Sequence, residues 1–167
     1  MLLSYLRQYR TNPSVTSAAM NALAVATMHQ SVASALAHSH DSVAAITTIA
    51  ANAGTRDATV ALAAMQTVLG LSKVPGGARA VVMRGGIRSA AAILRAHRHK
   101  VDTVASALVA TASTAHAVPD LVGDIGRVVA LEVVVAMREH PQSIKVLTAA
   151  CDVLVGLAVS EAGLQVW

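Results

Sequence analysis

Apolar residues recur every three or four positions along most of the chain, which is the spacing of one face of an α-helix. In the segment Leu94–Ala112 this pattern ends one helix, crosses a short basic turn and opens a second helix. A shift of 43 residues places the segment on Met137–Val155, and shifts in the other direction place it on Ile49–Leu69 and Leu6–Ala24. The sequence therefore predicts one helix–turn–helix unit that occurs four times.

Turn-forming residues divide each predicted unit into helices of different length. Gly85-Gly86 is expected to stop a helix, since glycine readily takes the left-handed geometry. Earlier in the chain, Asp41 or Ser42 is expected to cap the helix that begins after them. Pro141 is expected to be the first residue of the last predicted helix. The predicted helices are 13–29, 31–37, 43–50, 58–72, 78–84, 87–97, 100–115, 119–123, 125–139 and 141–160. A single repeat domain over 1–167 then has units of about 1–29, 30–73, 74–116 and 117–160, with a fifth beginning at 161–167.

The composition favours closely packed helices without a membrane span. Apolar residues make up 54% of the chain but aromatic residues only 2%, so alanine and valine supply most of the core. Mean hydropathy is +0.56, yet Glu132 and Asp152 interrupt the apolar runs before the roughly 20 residues that a spanning helix needs. The opening MLLSYLRQYR lacks the order of a signal peptide, and one cysteine allows no disulfide within the chain. We expect the protein to be intracellular and to lie in the cytoplasm.

Several short motifs recur at equivalent positions of the units. Leu6-Arg7, Leu94-Arg95 and Met137-Arg138 share one position, and Gly85-Gly86-Ile87 precedes a helix. Cys151 lies in the segment AACDVLVGLA. This pattern resembles armadillo repeats over nearly the whole chain, with a HEAT-like or another α-solenoid as the alternative. The resemblance implies an all-α, right-handed α-solenoid of about four three-helix repeats, whose third helices line a concave groove that binds a partner's extended peptide or helix.

The peptide-clamping residues of armadillo proteins do not carry over to this chain. Nuclear-import members of the family bear a ladder of Trp and Asn along the groove. The Trp positions correspond here to Asn21, Gln66, Val109 and Asp152, and the Asn positions to Val25, Gly70, Ser113 and Gly156. Recognition of basic nuclear-localisation peptides is therefore disfavoured. We expect a non-catalytic scaffold that binds protein through shape and apolar contact, with a groove lined by Asn21, Gln66, Val109, Ser113 and Asp152.

A basic stretch supports an alternative function. No acidic residue occurs from Ala58 to Val101, and the third unit carries a predicted basic edge of Arg84, Arg88, Arg95, Arg98 and Lys100. Such an edge is either an ordinary solvated surface or a site for acidic protein or nucleic acid. Acidic protein is the better candidate, because binding of single-stranded nucleic acid usually adds stacking aromatic side chains and none lies nearby in sequence.

The sequence predicts no enzyme, metal or cofactor. His38-Ser39-His40 and His97-Arg98-His99 lack the four ligands of a structural zinc site and are interpreted as turn or surface residues. Cys151 is expected to pack in the core, because its repeat equivalents are the apolar residues Met20, Met65 and Leu108. No P-loop, nucleophile elbow or dinucleotide fingerprint occurs.

The two ends of the chain look uncapped, since a solenoid needs polar outer faces at its ends to stay dissolved. The terminal apolar residues are Leu2, Leu3, Leu164, Val166 and Trp167. The sequence therefore predicts end-to-end self-association or continuation into a longer array.

Overall fold

A computed structural model describes residues 12–158, and this part of the chain contains nine α-helices, one short 3-10 helix and no strand. The helices in chain order are α1 (Pro13–Ala26), α2 (Gln30–His38), α3 (His40–Asn52), α4 (Ala58–Ser72), α5 (Gly77–Met83), α6 (Gly86–Ala96), α7 (Val101–Ala117), α8 (Val122–Glu139) and α9 (Ile144–Ala158). The 3-10 helix Pro119–Leu121 precedes α8. The prediction of an all-helical protein is confirmed. The apolar termini at 2–6 and 164–167 lie outside the described residues.

Side-chain caps explain where several helices begin. The side chain of Asn12 accepts hydrogen bonds from the backbone of Ser14 and Val15, and Pro13 supplies a first residue that needs no N–H partner. Asp57 caps α4 in the same way. The cap of α3 is Ser39, so the prediction of Asp41 or Ser42 was wrong by two or three residues.

Three of the helix ends that the sequence predicted at glycine or proline can be compared with the structure. One is confirmed and two are wrong. Gly85 has a φ of 79° between α5 and α6, as the glycine pair predicted. Helix α8 runs unbroken through Gly123, where the sequence predicted a separate short helix to end. Pro141 lies in a turn, and α9 begins at Ile144 after Ser143, whose hydroxyl accepts a hydrogen bond from Val146 N.

The helices pack as two sets in which each member contacts the next. One set runs α1, α4, α7, α9, and the other runs α3, α6, α8. The short helices α2 and α5 contact each other and lie against both sets. Residues one unit apart in sequence therefore occupy neighbouring helices.

Small side chains and a few larger ones fill the core between the sets. Met20, Met65 and Leu108 are each 0% exposed at equivalent positions of α1, α4 and α7. Their equivalent in α9, Cys151, is exposed, so the prediction that it packs in the core was wrong. The reason is its place in the set: α9 is the last described helix, and no further described helix covers the side on which Cys151 lies.

None of the described helices combines the length and the apolar character that crossing a membrane requires.

Candidate protein-interaction face

The residues predicted to line a groove lie on the four helices of the first set. Asn21 is on α1, Gln66 on α4 and Val109 on α7, and all three are exposed. Asp152 on α9 is also exposed, and Ser113 on α7 is half-buried. Because each of these helices contacts the next one in the set, the five side chains lie on helices that are neighbours in space. We name the exposed surfaces of α1, α4, α7 and α9 the row face.

Hydrogen bonds and close backbone approach hold the helices of this row together. The hydroxyls of Ser72 on α4 and Thr114 on α7 are 2.8 Å apart and buried. The ammonium of Lys145 on α9 lies 2.6 Å from a carboxylate oxygen of Asp102 on α7. These contacts fix the relative position of neighbouring helices and so of the side chains on the row face.

A cleft of about 680 Å³ opens at one end of the row face, between α1, α2 and α4. Gln66 lines it together with Val25 and Met28, which are 62% and 83% exposed. Large exposed apolar side chains beside a cleft are typical of a protein-binding surface. The sequence predicted Gln66 in the groove and placed Val25 and Gly70 at positions of the Asn ladder, and all three line this cleft. Met28, an apolar residue near the end of the predicted helix 13–29, was missed.

The predicted basic edge is divided by its ion pairs. Nε of Arg95 lies 2.9 Å from Oε1 of Glu132, whose side chain is only 10% exposed. Arg98 pairs with Glu139 at 3.3 Å. Arg84 and Lys100 flank helices α5 and α7 as terminal residues, and Arg88 is exposed on α6. Two of the five predicted cations are therefore engaged by acidic residues of α8.

Two histidines connect adjacent units. Nε2 of His97 donates to the carbonyl oxygen of Gly54 at 2.6 Å, and Nε2 of His140 donates to that of Arg98 at 2.6 Å. A carbonyl oxygen only accepts, so each ring must carry its proton on Nε2. The two histidines are 43 residues apart, which is the repeat length predicted from the sequence. Both residues are half-buried. His97 lies in a turn, as the sequence predicted, and there it also makes a structural hydrogen bond.

Replacing His97 by alanine is expected to lower the free energy of unfolding by about 1–2 kcal/mol, because the carbonyl of Gly54 loses its donor. His99→Ala is the matched control, since His99 is exposed and its loss should cost at most about 0.5 kcal/mol. Urea denaturation of both variants measures the difference. Equal effects would contradict the structural role of the His97 bond.

A hydrogen bond from Arg79 to Asp120 joins two segments that are 41 residues apart, and it favours the charged form of the Asp120 carboxyl. A side-chain hydrogen bond from Arg79, 2.6 Å away, lowers the pKa of Asp120 from its usual value of 3.8. The pairing therefore favours the folded state above the ordinary pKa of an aspartate, and this contribution is lost as the pH falls through the lowered pKa. Its effect on stability is small because the side chains of Arg79 and Asp120 are 54% and 55% exposed to solvent.

Arg79→Gln is expected to return the pKa of Asp120 towards 3.8, because the variant removes both the hydrogen bond and the charge. An NMR titration of the Asp120 side chain in both proteins measures the shift. An unchanged pKa in the variant would show that the Arg79–Asp120 pair does not form in solution.

Residues 12–158 contain no cluster of three or more His, Cys, Asp or Glu side chains arranged to hold a metal ion. Comparison of the chain with models of protein families, with curated proteins and with solved structures gives no match.

Proposed function

We propose that the chain is an armadillo-like α-solenoid that acts as a non-catalytic scaffold and binds a segment of a partner protein on the row face. The observation that carries the proposal is the placement of Asn21, Gln66, Val109 and Asp152. They follow one another at 45, 43 and 43 residues in the sequence, and all four are exposed on helices that pack in the same order. In an α-solenoid such a series lies along one continuous surface.

Hydrogen bonds at a separation of one repeat support the solenoid part of the proposal. Ser89 on α6 donates to the carbonyl of Thr47 on α3, 42 residues earlier. The Ser72–Thr114 pair has the same separation, and the two histidine bonds span 43 and 42 residues. Bonds of this kind between equivalent positions are what nearest-neighbour stacking of like units requires.

The chemistry of the row face favours a partner bound through shape and apolar contact. The face carries amides, a hydroxyl and valines, with the single charge of Asp152 among its predicted binding residues. The adjoining cleft adds Val25, Met28 and Leu69 as apolar lining. Affinity from such a surface comes mainly from buried apolar area and depends little on salt.

The test is partner binding by the double variant Gln66→Arg/Val109→Arg, which places two bulky cations in the middle of the row face. We expect binding to fall at least about tenfold, since burial of an unpaired charge costs more than 1.4 kcal/mol. Thr48→Arg/Leu131→Arg is the matched control, because both residues are exposed on helices of the other set. Partners are first found by affinity capture with mass spectrometry, and binding is then measured for each purified partner.

Salt dependence separates this proposal from the alternative, in which the basic edge binds acidic protein or nucleic acid. Binding on the row face should change little with salt, whereas binding through several arginines should weaken steeply. The proposal would be overturned if Gln66→Arg/Val109→Arg weakened the binding of none of the captured partners, whatever the effect of Arg84→Ala/Arg88→Ala/Arg95→Ala.

A further inference from the structure

A second cleft of about 490 Å³ lies between α5, α6 and α8. None of its lining residues belongs to α1, α4, α7 or α9, so it is separate from the row face. Its volume lies within the range of pockets that hold small ligands or a few side chains of a bound peptide.

The walls of this cleft are part apolar and part charged. Ile87 and Ile125 are 4% and 0% exposed and form part of its floor, with Val82 and Val128 half-buried beside them. Met83 also lines the cleft and is 68% exposed. An unbranched, flexible side chain at such a position adapts to different apolar partners.

Positive charge borders these apolar walls. Arg88 lines the cleft and makes no ion pair with any residue from 12 to 158. Arg127 lines it too and pairs within its own helix, at 3.0 Å, with Asp124, which is the one acidic residue of the lining. Both members of that pair are mostly exposed, and such pairs contribute about 0–1 kcal/mol, so an incoming carboxylate can replace Asp124 at little cost.

Neighbouring residues add to the positive potential. Arg84 lies in sequence between the lining residues Met83 and Gly85. No acidic residue occurs from Ala58 to Val101, which covers all of α5 and α6. The cleft therefore combines an apolar floor with two unpaired or weakly paired guanidinium groups and one more close by in the chain.

We infer that this cleft binds a short acidic–aliphatic segment of a partner protein, in which carboxylates flank an aliphatic side chain. The carboxylates bind Arg88 and Arg127, for which guanidinium groups offer paired hydrogen bonds. The aliphatic side chain packs on Met83 and the isoleucine floor. Nucleic acid fits less well, because residues 12–158 contain no Phe, Tyr or Trp on which a base can stack.

The probe is a displayed library of random dodecapeptides, selected on the wild-type protein and then counter-selected on Arg88→Gln/Arg127→Gln. Peptides retained by the wild type and lost by this variant are synthesised with a fluorescent label and measured by anisotropy. Arg56→Gln/Arg138→Gln is the matched control, because it removes the same charge from two exposed arginines outside the cleft lining.

The expected peptides place Asp or Glu next to Leu, Ile, Val or Met. Their affinity should fall at least about tenfold in Arg88→Gln/Arg127→Gln, since a hydrogen bond to a charged group is worth about 1.5–3 kcal/mol. It should stay within about twofold in the control and in Gln66→Arg/Val109→Arg, which separates this inference from the row-face proposal. Met83→Ser should also weaken binding.

Three results would overturn the inference. One is a selection that yields no peptide sensitive to Arg88→Gln/Arg127→Gln. Another is an equal loss of affinity in the charge-matched control, which would reduce the effect to net charge. The third is tighter binding of a labelled oligothymidylate than of the selected peptides at the same salt concentration.

Discussion

Leu108→Ala is expected to lower the free energy of unfolding by about 2–5 kcal/mol, the range for truncating a fully buried leucine. Leu108 is 0% exposed in the middle of α7, and α7 contacts α4 on one side and α9 on the other. The substitution therefore leaves a cavity inside the packed row of helices, which closes only in part. For a chain of this length the midpoint of thermal unfolding should fall by roughly 5–15 °C.

Val109→Ala is the matched control for that variant, since it truncates the next residue of the same helix. Val109 is 40% exposed, so its truncation should cost less than about 1 kcal/mol. Calorimetry or urea denaturation of the pair distinguishes the buried side of α7 from the proposed binding side. Equal costs for the two variants would contradict the orientation of α7 on which the row face depends.

Gly70→Ala is expected to destabilise the protein by about 1–3 kcal/mol, although alanine normally favours a helix over glycine by about 1 kcal/mol. A Cβ atom at Gly70 would lie 2.7 Å from Cβ of Thr27 and 2.9 Å from its carbonyl oxygen. Thr27 is buried, and its hydroxyl donates to the carbonyl of Ala24 at 3.0 Å, so it has little room to move. The end of α1 would have to shift away from α4.

Gly156→Ala tests the same register two repeats later in the chain. There the new Cβ would meet Ala115 Cβ at 3.2 Å and the ring of His116 at 3.4 Å, which a shift of a few tenths of an ångström between α7 and α9 relieves. We expect a change within about 1 kcal/mol of the wild type. If Gly70→Ala were as mild as Gly156→Ala in chemical denaturation, the close approach of α1 to α4 would not hold in solution.

Local signals in the sequence were enough to predict the helices and much of their order. Helix α4 begins at Ala58 and ends at Ser72, as predicted, because Asp57 caps it and a continuous apolar pattern fills it. The start of α9 was missed because Pro141 and Ser143 are both good helix-starting residues, and residue type alone does not choose between them. The exposure of Cys151 was missed because burial depends on a neighbouring helix, which a pattern within one helix does not report.

Contacts between repeats were harder to predict, although the sequence held a signal for them. Arg79 and Asp120, Arg98 and Glu139, and Asp102 and Lys145 are opposite charges separated by 41, 41 and 43 residues. Opposite charges one repeat apart indicate ion pairs between stacked units. Applied to the basic edge, that rule would have predicted that Arg98 is paired. It would not have predicted the pair of Arg95 with Glu132, because these residues are 37 residues apart.

The row face is tested most directly by photo-crosslinking from a benzophenone side chain placed at residue 109 or at residue 131. Both positions are exposed, Val109 on α7 at 40% and Leu131 on α8 at 72%, but only the first lies on the row face. We predict that a bound partner crosslinks from residue 109 and not from residue 131. A partner that crosslinks from residue 131 alone would contradict the proposal that the exposed surfaces of α1, α4, α7 and α9 bind it.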